Sequence, residues 1–552
     1  MSRWIYPLLI LIISLFGIKA LFHSGLFTAH DIWHQVVRLY YFSQAVNDGQ
    51  FPPYWIGQLA KGFGYPLFFF SYNLPWLLSI PIMKIGLDIT TTIKILFILS
   101  YIGSGLTMYF FVNSLLRNKL SAFISSILYL WLPYHFLIIF VSASMGIAFI
   151  FTFLPLLFLG IHLLNEGSKF GSTILALGLS GIILSHIMHL IFMLPLIVIF
   201  SIWELSRTKL KMRFTEGMII GIILGFMISA FYLIPAAYYN QFTRVHKEEG
   251  IAKLYERNFI NFKQLIYSKW GFSPIVNNAK NGEISFQIGI VQWLCVIIIL
   301  MLVLLKRLSK QHLSLSISLL ISFILCIFLM LDLSKPIWKI MVKFISLDYP
   351  FRLLLPISFI ASICGGIVIL TFKGRAKLLI LISMIFLAFY ANRNHINVNQ
   401  YTYFPISAYL DLPTEITTNT FNEYLPILAN PKLLNKPWNE ITGEGLSVSQ
   451  VSHTTNLLSF QVNIPAKQTV SLGQFNFPGQ TLYIDNKISE FATDQDGKIS
   501  FIAPPGLHQV EIKFQYTKEI NLSKTLTVIG LFITLFLPFK DKILLGEKPT
   551  LD

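Results

Sequence analysis

Three short constellations hold the side chains whose types and spacing could do chemistry. The richest is His30-Asp31-Ile-Trp-His34-Gln-Val-Val-Arg38. On a helix, Asp31, His34 and Arg38 fall at i, i+3 and i+7 and share one face. A carboxylate beside a cation can serve as a general base or a metal ligand. The same spacing also describes an amphipathic helix in a membrane interface, its polar face in water, and by spacing alone that is the commoner outcome. His186-Ile-Met-His189 has the i, i+3 spacing that can hold a metal on a helix, with no third ligand nearby in sequence. Asp348-Tyr-Pro-Phe-Arg352 opens an apolar run; an Arg there either grips phosphate bidentately or snorkels to lipid headgroups. Glu423 and Asp411 read as parts of a solvated loop, Arg244-Val-His246-Lys247-Glu248-Glu249 as a solvated helix face, and Lys269-Trp-Gly-Phe272 as an aromatic interface anchor. There is no phosphate-binding loop, no GxSxG, no HExxH and no dinucleotide fingerprint, so nothing supports ATP-driven transport or serine hydrolysis.

The elements that must position these residues are set by an apolar composition. Of 552 residues 55% are apolar and only 12% charged, against about 25% charged in soluble domains. This excludes an ordinary soluble enzyme and a disordered chain. The net charge of +16 is scattered in short clusters between apolar runs, which argues against nucleic acid as a partner. Cys295, Cys326 and Cys364 lie in apolar runs and read as small buried hydrophobes.

Spanning helices need roughly 17–25 apolar residues. Candidate runs lie at 5–22, 94–114, 121–139, 145–164, 170–204, 217–237, 287–305, 312–331, 351–371, 377–391 and 523–539. The run 170–204 is too long for one crossing, so it is split into two short helices around His186 and His189. Cationic loops at Arg117/Lys119, Arg207–Arg213, Lys306–Lys310, Lys373–Lys377 and Lys540/Lys542 are expected in the cytoplasm. That holds for all of them only if 66–83, with Pro66, Pro75 and Pro81, lies in the outer interface without crossing. Twelve crossings result, with both termini cytoplasmic. The expected organisation is a membrane domain over 1–391 with outer loops 23–93 and 238–286. An extracytoplasmic domain follows over 392–522, then a last helix and tail over 523–552. Within the outer domain, alternation from Leu446 with turns at Pro478-Gly479, Asp485-Asn486, Asp496-Gly497 and Pro505-Gly506 predicts a small β-sandwich over about 446–516.

Several blocks, in this order, resemble a known family. They are His30-Asp31…His34…Arg38; Gly49-Gln-Phe-Pro-Pro-Tyr-Trp55; Gly62-Phe-Gly-Tyr-Pro66; Phe70-Ser-Tyr-Asn-Leu-Pro75; Trp270-Gly-Phe-Ser-Pro; Ile284-Ser-Phe-Gln-Ile-Gly289; Lys335-Pro-Ile-Trp338; Asp348-Tyr-Pro-Phe-Arg352; and Asn422-Glu-Tyr-Leu-Pro426. The chain resembles bacterial membrane proteins labelled "6-pyruvoyl-tetrahydropterin synthase-related", akin to YfhO-like proteins and GT-C glycosyltransferases. The pterin wording has no counterpart here, because no zinc site of that soluble enzyme is readable. The resemblance implies a GT-C-like helical bundle in the bacterial cytoplasmic membrane, with juxtamembrane helices in its first outer loop. It also implies sugar transfer with inversion from a polyprenyl-phosphate carrier to an extracytoplasmic glycan, lipid or protein acceptor. Asp31 matches the catalytic base. Arg352, and next Arg38, would stabilise the leaving phosphate, with His30, His34 and Glu423 as further substrate-binding candidates. A divalent metal is an open possibility, with Asp31, His186 and His189 as its candidate ligands. One departure is that Phe140-Val-Ser-Ala-Ser-Met-Gly-Ile147 carries no charge where relatives carry Arg and Glu. The competing readings are a non-catalytic handler or flippase of lipid-linked glycan, and a receptor whose sandwich binds glycan.

Overall fold

The computed structural model describes residues 4–245, 254–274, 278–281, 284–345, 347–419, 421–436, 438 and 441–539. Lys540 and Lys542, and His246 to Glu249, lie outside them. The apolar runs become helices because a bilayer offers the backbone no water, and a helix satisfies its N–H and C=O groups internally. In chain order the principal helices are α1 (Ile5–Gly17), α2 (Ile32–Asn47), α3 (Leu67–Phe70), α4 (Leu74–Lys84), α5 (Ile89–Leu116), α6 (Lys119–Leu130), α7 (Pro133–Phe136), α8 (Met145–Asn165), α9 (Gly171–Arg207), α10 (Lys211–Ile228) and α11 (Ala230–Tyr239). They continue with α12 (Ile290–Leu304), α13 (Lys310–Met330), α14 (Lys335–Met341), α15 (Leu354–Thr371), α16 (Gly374–Asn392), α17 (Ile406–Leu410), α18 (Thr414–Thr417) and α19 (Lys518–Phe536).

Among the described residues, seven helices are long and apolar enough to cross a membrane. Bent pairs at 119–141 (48°) and 211–242 (67°) bring the number to nine. Helices α1 and α12 are shorter apolar helices. One of the seven, α9, runs for 37 residues but doubles back at His186, whose φ of −170° and ψ of 93° interrupt the helix. Before that point α9 runs antiparallel to α8: a Cβ on Gly160 would meet Leu175, one on Gly178 would meet Leu157, and one on Gly146 would meet the Ser185 carbonyl. After it, Phe200 packs on Phe158, and Glu204 bonds His162 Nδ1 at 2.7 Å. Both ends of α9 therefore lie beside the C-terminal end of α8, which is the path expected of two short helices with the histidines at their tip.

The cationic loops gather at that same end. Arg117 pairs with Glu166 at 2.5 Å, Trp203 donates to Ser314 at 3.1 Å, and Lys169 lies 5.6 Å over the Phe539 ring. The opposite end holds α2 and α4, neither of which is among the helices long and apolar enough to cross a membrane. Helix α4 has 11 residues and carries Pro75 and Pro81. Helix α2 packs against α4, α5, α17 and α18, so its polar side is enclosed by protein instead of meeting water.

The C-terminal strands form two antiparallel layers. Strand β1 (Leu26–Phe27) pairs with β2 (Tyr401–Thr402) at the membrane junction. Strands β3 (Ile441–Thr442), β4 (Ser447–His453), β5 (Leu457–Ile464), β6 (Gln468–Phe475), β7 (Gln480–Ile484), β8 (Lys487–Ser489), β9 (Ala492–Thr493), β10 (Lys498–Ala503) and β11 (Gly506–Phe514) make a four-stranded sheet ordered β3-β6-β10-β9 and a five-stranded sheet ordered β4-β5-β11-β7-β8. Alternate residues such as Phe460, Val462, Val470, Leu472, Val510 and Ile512 fill the space between them. The sandwich is clamped to the loop after α2. Asp48 accepts from the Thr455 N–H at 2.9 Å and its hydroxyl at 2.7 Å, and the Phe475 N–H donates to the Phe63 carbonyl at 2.8 Å.

Candidate active site

The last carbonyls of a helix lack intrahelical donors. At the end of the bent 119–141 pair, Val141 and Ser142 offer theirs to the N–H groups of His30 (3.0 Å) and Asp31 (2.9 Å). Ala143, with φ of 50°, turns its carbonyl to Gln35 Nε2 at 2.9 Å. The uncharged segment Phe140–Ile147 thus works through its main chain, as a dock for the start of α2. Asp31 occupies the N-cap position of α2 but makes no capping bond. Among the described residues, no hydrogen bond reaches its carboxylate. Burial pushes that carboxyl above the ordinary carboxylate range, against the opposing pull of Arg38, His30 and Arg352.

Arg38 on α2, His30 just before it and Arg352 from the segment before α15 lie around Asp31. Arg38, two turns along α2, lies 5.7 Å over the Tyr72 ring. The Tyr72 hydroxyl donates to Gln35 Oε1 at 2.7 Å, so Gln35 ties Tyr72 to the Ala143 carbonyl. Arg352 bonds Asp348 at 2.9 Å through Nη2 and lies 5.0 Å over the Tyr349 ring, while its Nη1 is buried without a partner. His30 Nε2 meets the Phe272 carbonyl at 3.0 Å. A cavity of about 320 Å³ opens between His30, Trp33, Phe272 and Asn399; Asp31 itself does not line it. Of the aromatic segment Lys269–Phe272, Phe272 lines the cavity, while Trp270 stacks on His395 at 4.0 Å.

The remaining candidates distribute differently. His34 stays near Arg38 but turns to the Ile416 backbone in the outer domain; burial first, then Arg38, push it down to about 3, so it is neutral. Glu423 is buried, not solvated. Its Oε1 accepts from Asn419 at 3.0 Å and its Oε2 has no partner. Tyr65 and Tyr424 feel the charges of both Glu423 and Arg38. Asp411 lies near Tyr41. His186 and His189 stand at the α9 tip with ring centroids 4.6 Å apart, His186 6.4 Å from Tyr72, both within reach of the Arg352 charge. Among the described residues no three His, Cys, Asp or Glu side chains come together as metal ligands. The residues present at this site do not fit a resident metal, and Asp31 does not complete the histidine pair. Sequence reasoning missed Gln35, Tyr72 and Phe272. Tyr72 stood in the quoted Phe70–Pro75 block, and Gln35 between two named polar residues.

The profile of a family described as "6-pyruvoyl-tetrahydropterin synthase related domain; membrane protein" matches residues 69–398, more than half of the chain. The chain belongs to this family. It is accordingly a membrane protein, and the matched segment runs from α3 to beyond α16, including Tyr72, His186, His189 and Arg352. Two structures of the Archaeoglobus fulgidus oligosaccharyltransferase resemble it. One, tethered by a disulfide to an acceptor peptide containing the NVT sequon, has a TM-score of 0.41 at 10% identity over 73% of this chain and 56% of that one. The other, the apo form, has a TM-score of 0.36 at 13% identity over 77% and 57%. The chain thus spans little more than half the length of those structures. No curated protein matches the sequence.

Proposed function

We propose that this protein is a GT-C-type, inverting glycosyltransferase of the bacterial cytoplasmic membrane, moving a sugar from a polyprenyl-phosphate carrier to an extracytoplasmic hydroxyl acceptor. The observation that carries this is the unbonded Asp31 carboxylate, under the electrostatic pull of Arg38, His30 and Arg352, with its chain neighbour His30 lining an open cavity. In the reaction Asp31 takes the proton of the acceptor hydroxyl as its oxygen bonds to the anomeric carbon. The bond from that carbon to the phosphate oxygen breaks on the opposite face, and the electron pair leaves with the phosphate. Arg352, through its unpartnered Nη1, receives the developing charge, and Arg38 holds Asp31 and the field around it. A preorganised donor at such a position supplies about 3–4 kcal/mol of transition-state stabilisation, and a placed base about 10²–10⁴-fold in rate. The cavity beside Trp33 and Asn399 offers an aromatic face and an amide for the acceptor. The cationic end of the bundle faces the cytoplasm on this reading, which puts Asp31 at the outer surface. The test is to incubate the purified protein in lipid with a panel of radiolabelled polyprenyl-phosphate sugars and cell-envelope acceptor. The reading expects label to leave the lipid and the product to have the inverted anomer. Label that stays on every carrier, while those carriers bind, overturns it in favour of a lipid-linked glycan handler.

A further inference from the structure

Helix α13 ends at Met330, and the chain does not turn straight back into α15. It first winds through a 3₁₀ turn (Asp332–Ser334), α14 and further turn bonds that reach Ile345. Three stripes run along this winding. One packs inward: Ser334 Oγ and Trp338 Nε1 both donate to the Leu329 carbonyl, at 3.0 and 2.9 Å, and Trp338 stacks on Tyr255 with the rings 10° from parallel. The second is Leu333, Ile337, Ile340 and Phe344, spaced i, i+4, i+7 and i+11, which is one side of a helix. All four are exposed, Leu333 by 76% and Phe344 by 82%. The third is Lys335, Lys339 and Lys343, four residues apart and also exposed. Lys335 is held by Asp332 at 2.7 Å; among the described residues, Lys339 and Lys343 have no acidic partner.

A second short helix, Phe262–Ile266, repeats the pattern beside it. Ile260 bridges to Leu331, and its N–H donates to the Met330 carbonyl at 3.1 Å. Phe262, Ile266 and Tyr267 are exposed, with Lys263 and Lys269 among them, while Leu265 is buried. Both segments lie at the Met330 end of α13, whose other end, Lys310, belongs to the cationic end of the bundle. They therefore form a rim on the α2 side, where lysines are ordinarily scarce. A water-facing surface rarely leaves so much contiguous apolar area bare, and the acyl region alone disfavours lysines. A membrane interface suits both, because apolar side chains dip beneath the headgroups while lysine ammoniums reach up to the phosphates. Asp332 is shared by Lys280 and Lys335. Among the described residues, Lys263, Lys269, Lys339 and Lys343 then leave the rim positive, which favours headgroups of net negative charge over zwitterionic ones.

We propose that α14 and the Phe262–Ile266 helix form a foot in the membrane interface on the Asp31 side of the bundle, and that Lys339 and Lys343 select anionic phospholipid around it. The contact is with the headgroups of bilayer lipid. It depends only on the chain crossing a membrane and not on the reaction proposed above.

The substitution Phe344→Trp puts a fluorescent reporter on the bare stripe. The full-length protein carrying it, with wild-type emission subtracted, is placed in phosphatidylcholine nanodiscs. Phosphatidylglycerol or phosphatidylcholine brominated near the head of the acyl chain replaces the host lipid in steps. Both brominated lipids are expected to quench the reporter. Phosphatidylglycerol should reach half-quenching at a mole fraction about fivefold lower, the enrichment expected of a lysine near anionic headgroups. High salt should close that gap by screening it. Lys339→Gln with Lys343→Gln in the reporter background should close it too. Quenching by phosphatidylcholine and the unfolding temperature should stay unchanged there, because both lysines are exposed. No quenching by either lipid overturns the foot and leaves the apolar stripe to a protein partner. Equal quenching by the two lipids before the lysines are changed overturns the selection of anions. A preference that survives the double variant overturns the assignment to Lys339 and Lys343.

Discussion

An aspartate at a helix N-cap ordinarily spends its carboxylate on the first turn. Asp31 does not, and its main chain is instead held by Ser142 while its side chain stays unbonded. The consequence is a base whose acid form is favoured by burial. Activity that needs ionised Asp31 should rise with pH along a limb lying above the usual carboxylate value of 3.8, read from kcat/KM against pH with Asp31→Glu as the comparison. His34 has the opposite consequence for stability. Its pKa in the fold, about 3, lies below the ordinary 6.5, so the unfolded chain binds a proton that the native chain refuses. Stability is intact above pH 6.5 and falls as pH drops below it, by about 2 kcal/mol at pH 5 from this group. Thermal unfolding between pH 7 and 5 should therefore be less acid-sensitive in His34→Gln than in the wild type. Charges set against apolar runs were readable in the sequence, which is why Asp31, Arg38 and Arg352 stood out. The burial of Glu423 was not readable, because it depends on Tyr65 arriving from a distant segment to meet the Tyr424 N–H at 3.1 Å.

At the scale of elements, the doubling back of α9 decides where His186 and His189 sit. A run too long for one crossing with histidines at its middle already announced a break. The reason it holds its place is invisible to hydropathy: glycines at 146, 160 and 178 let the backbones of α8 and α9 touch. A Cβ on Gly178 would stand 2.4 Å from the Leu157 backbone nitrogen, so Gly178→Val must push the helices apart. It should cost about 1–3 kcal/mol, as overpacking does, and lower transfer although it lies far from Asp31. Denaturation in detergent checks the first and the transfer assay the second. Helix α2 shows where periodicity ran out. Its spacing suited a helix lying in water at the membrane surface, but α17 and α18, over 350 residues later, close over it.

For the whole molecule, the sandwich acts as a brace. Alternation and turn residues made its strands legible, whereas its attachment at Asp48 and Phe63 pairs segments with no local sequence signal. The Thr455 hydroxyl lies 2.7 Å from Asp48 and 3.1 Å from Gln50. Thr455→Val removes both bonds and should cost about 1–3 kcal/mol. Hydrogen exchange should then quicken at the 48–65 and 453–457 backbones while the sandwich core stays protected. If the core opened equally, the sandwich would owe its fold to the brace instead of supplying it. The role of Asp31 as base is decided by one comparison. Wild type and Asp31→Asn, both shown folded by thermal unfolding in the same lipid, are assayed side by side for transfer of radiolabelled sugar from the polyprenyl-phosphate donor that the panel identifies. The wild type should transfer sugar, and the variant should lose about 10²–10⁴-fold, the contribution of a placed base. Transfer by Asp31→Asn at the wild-type rate would contradict that role.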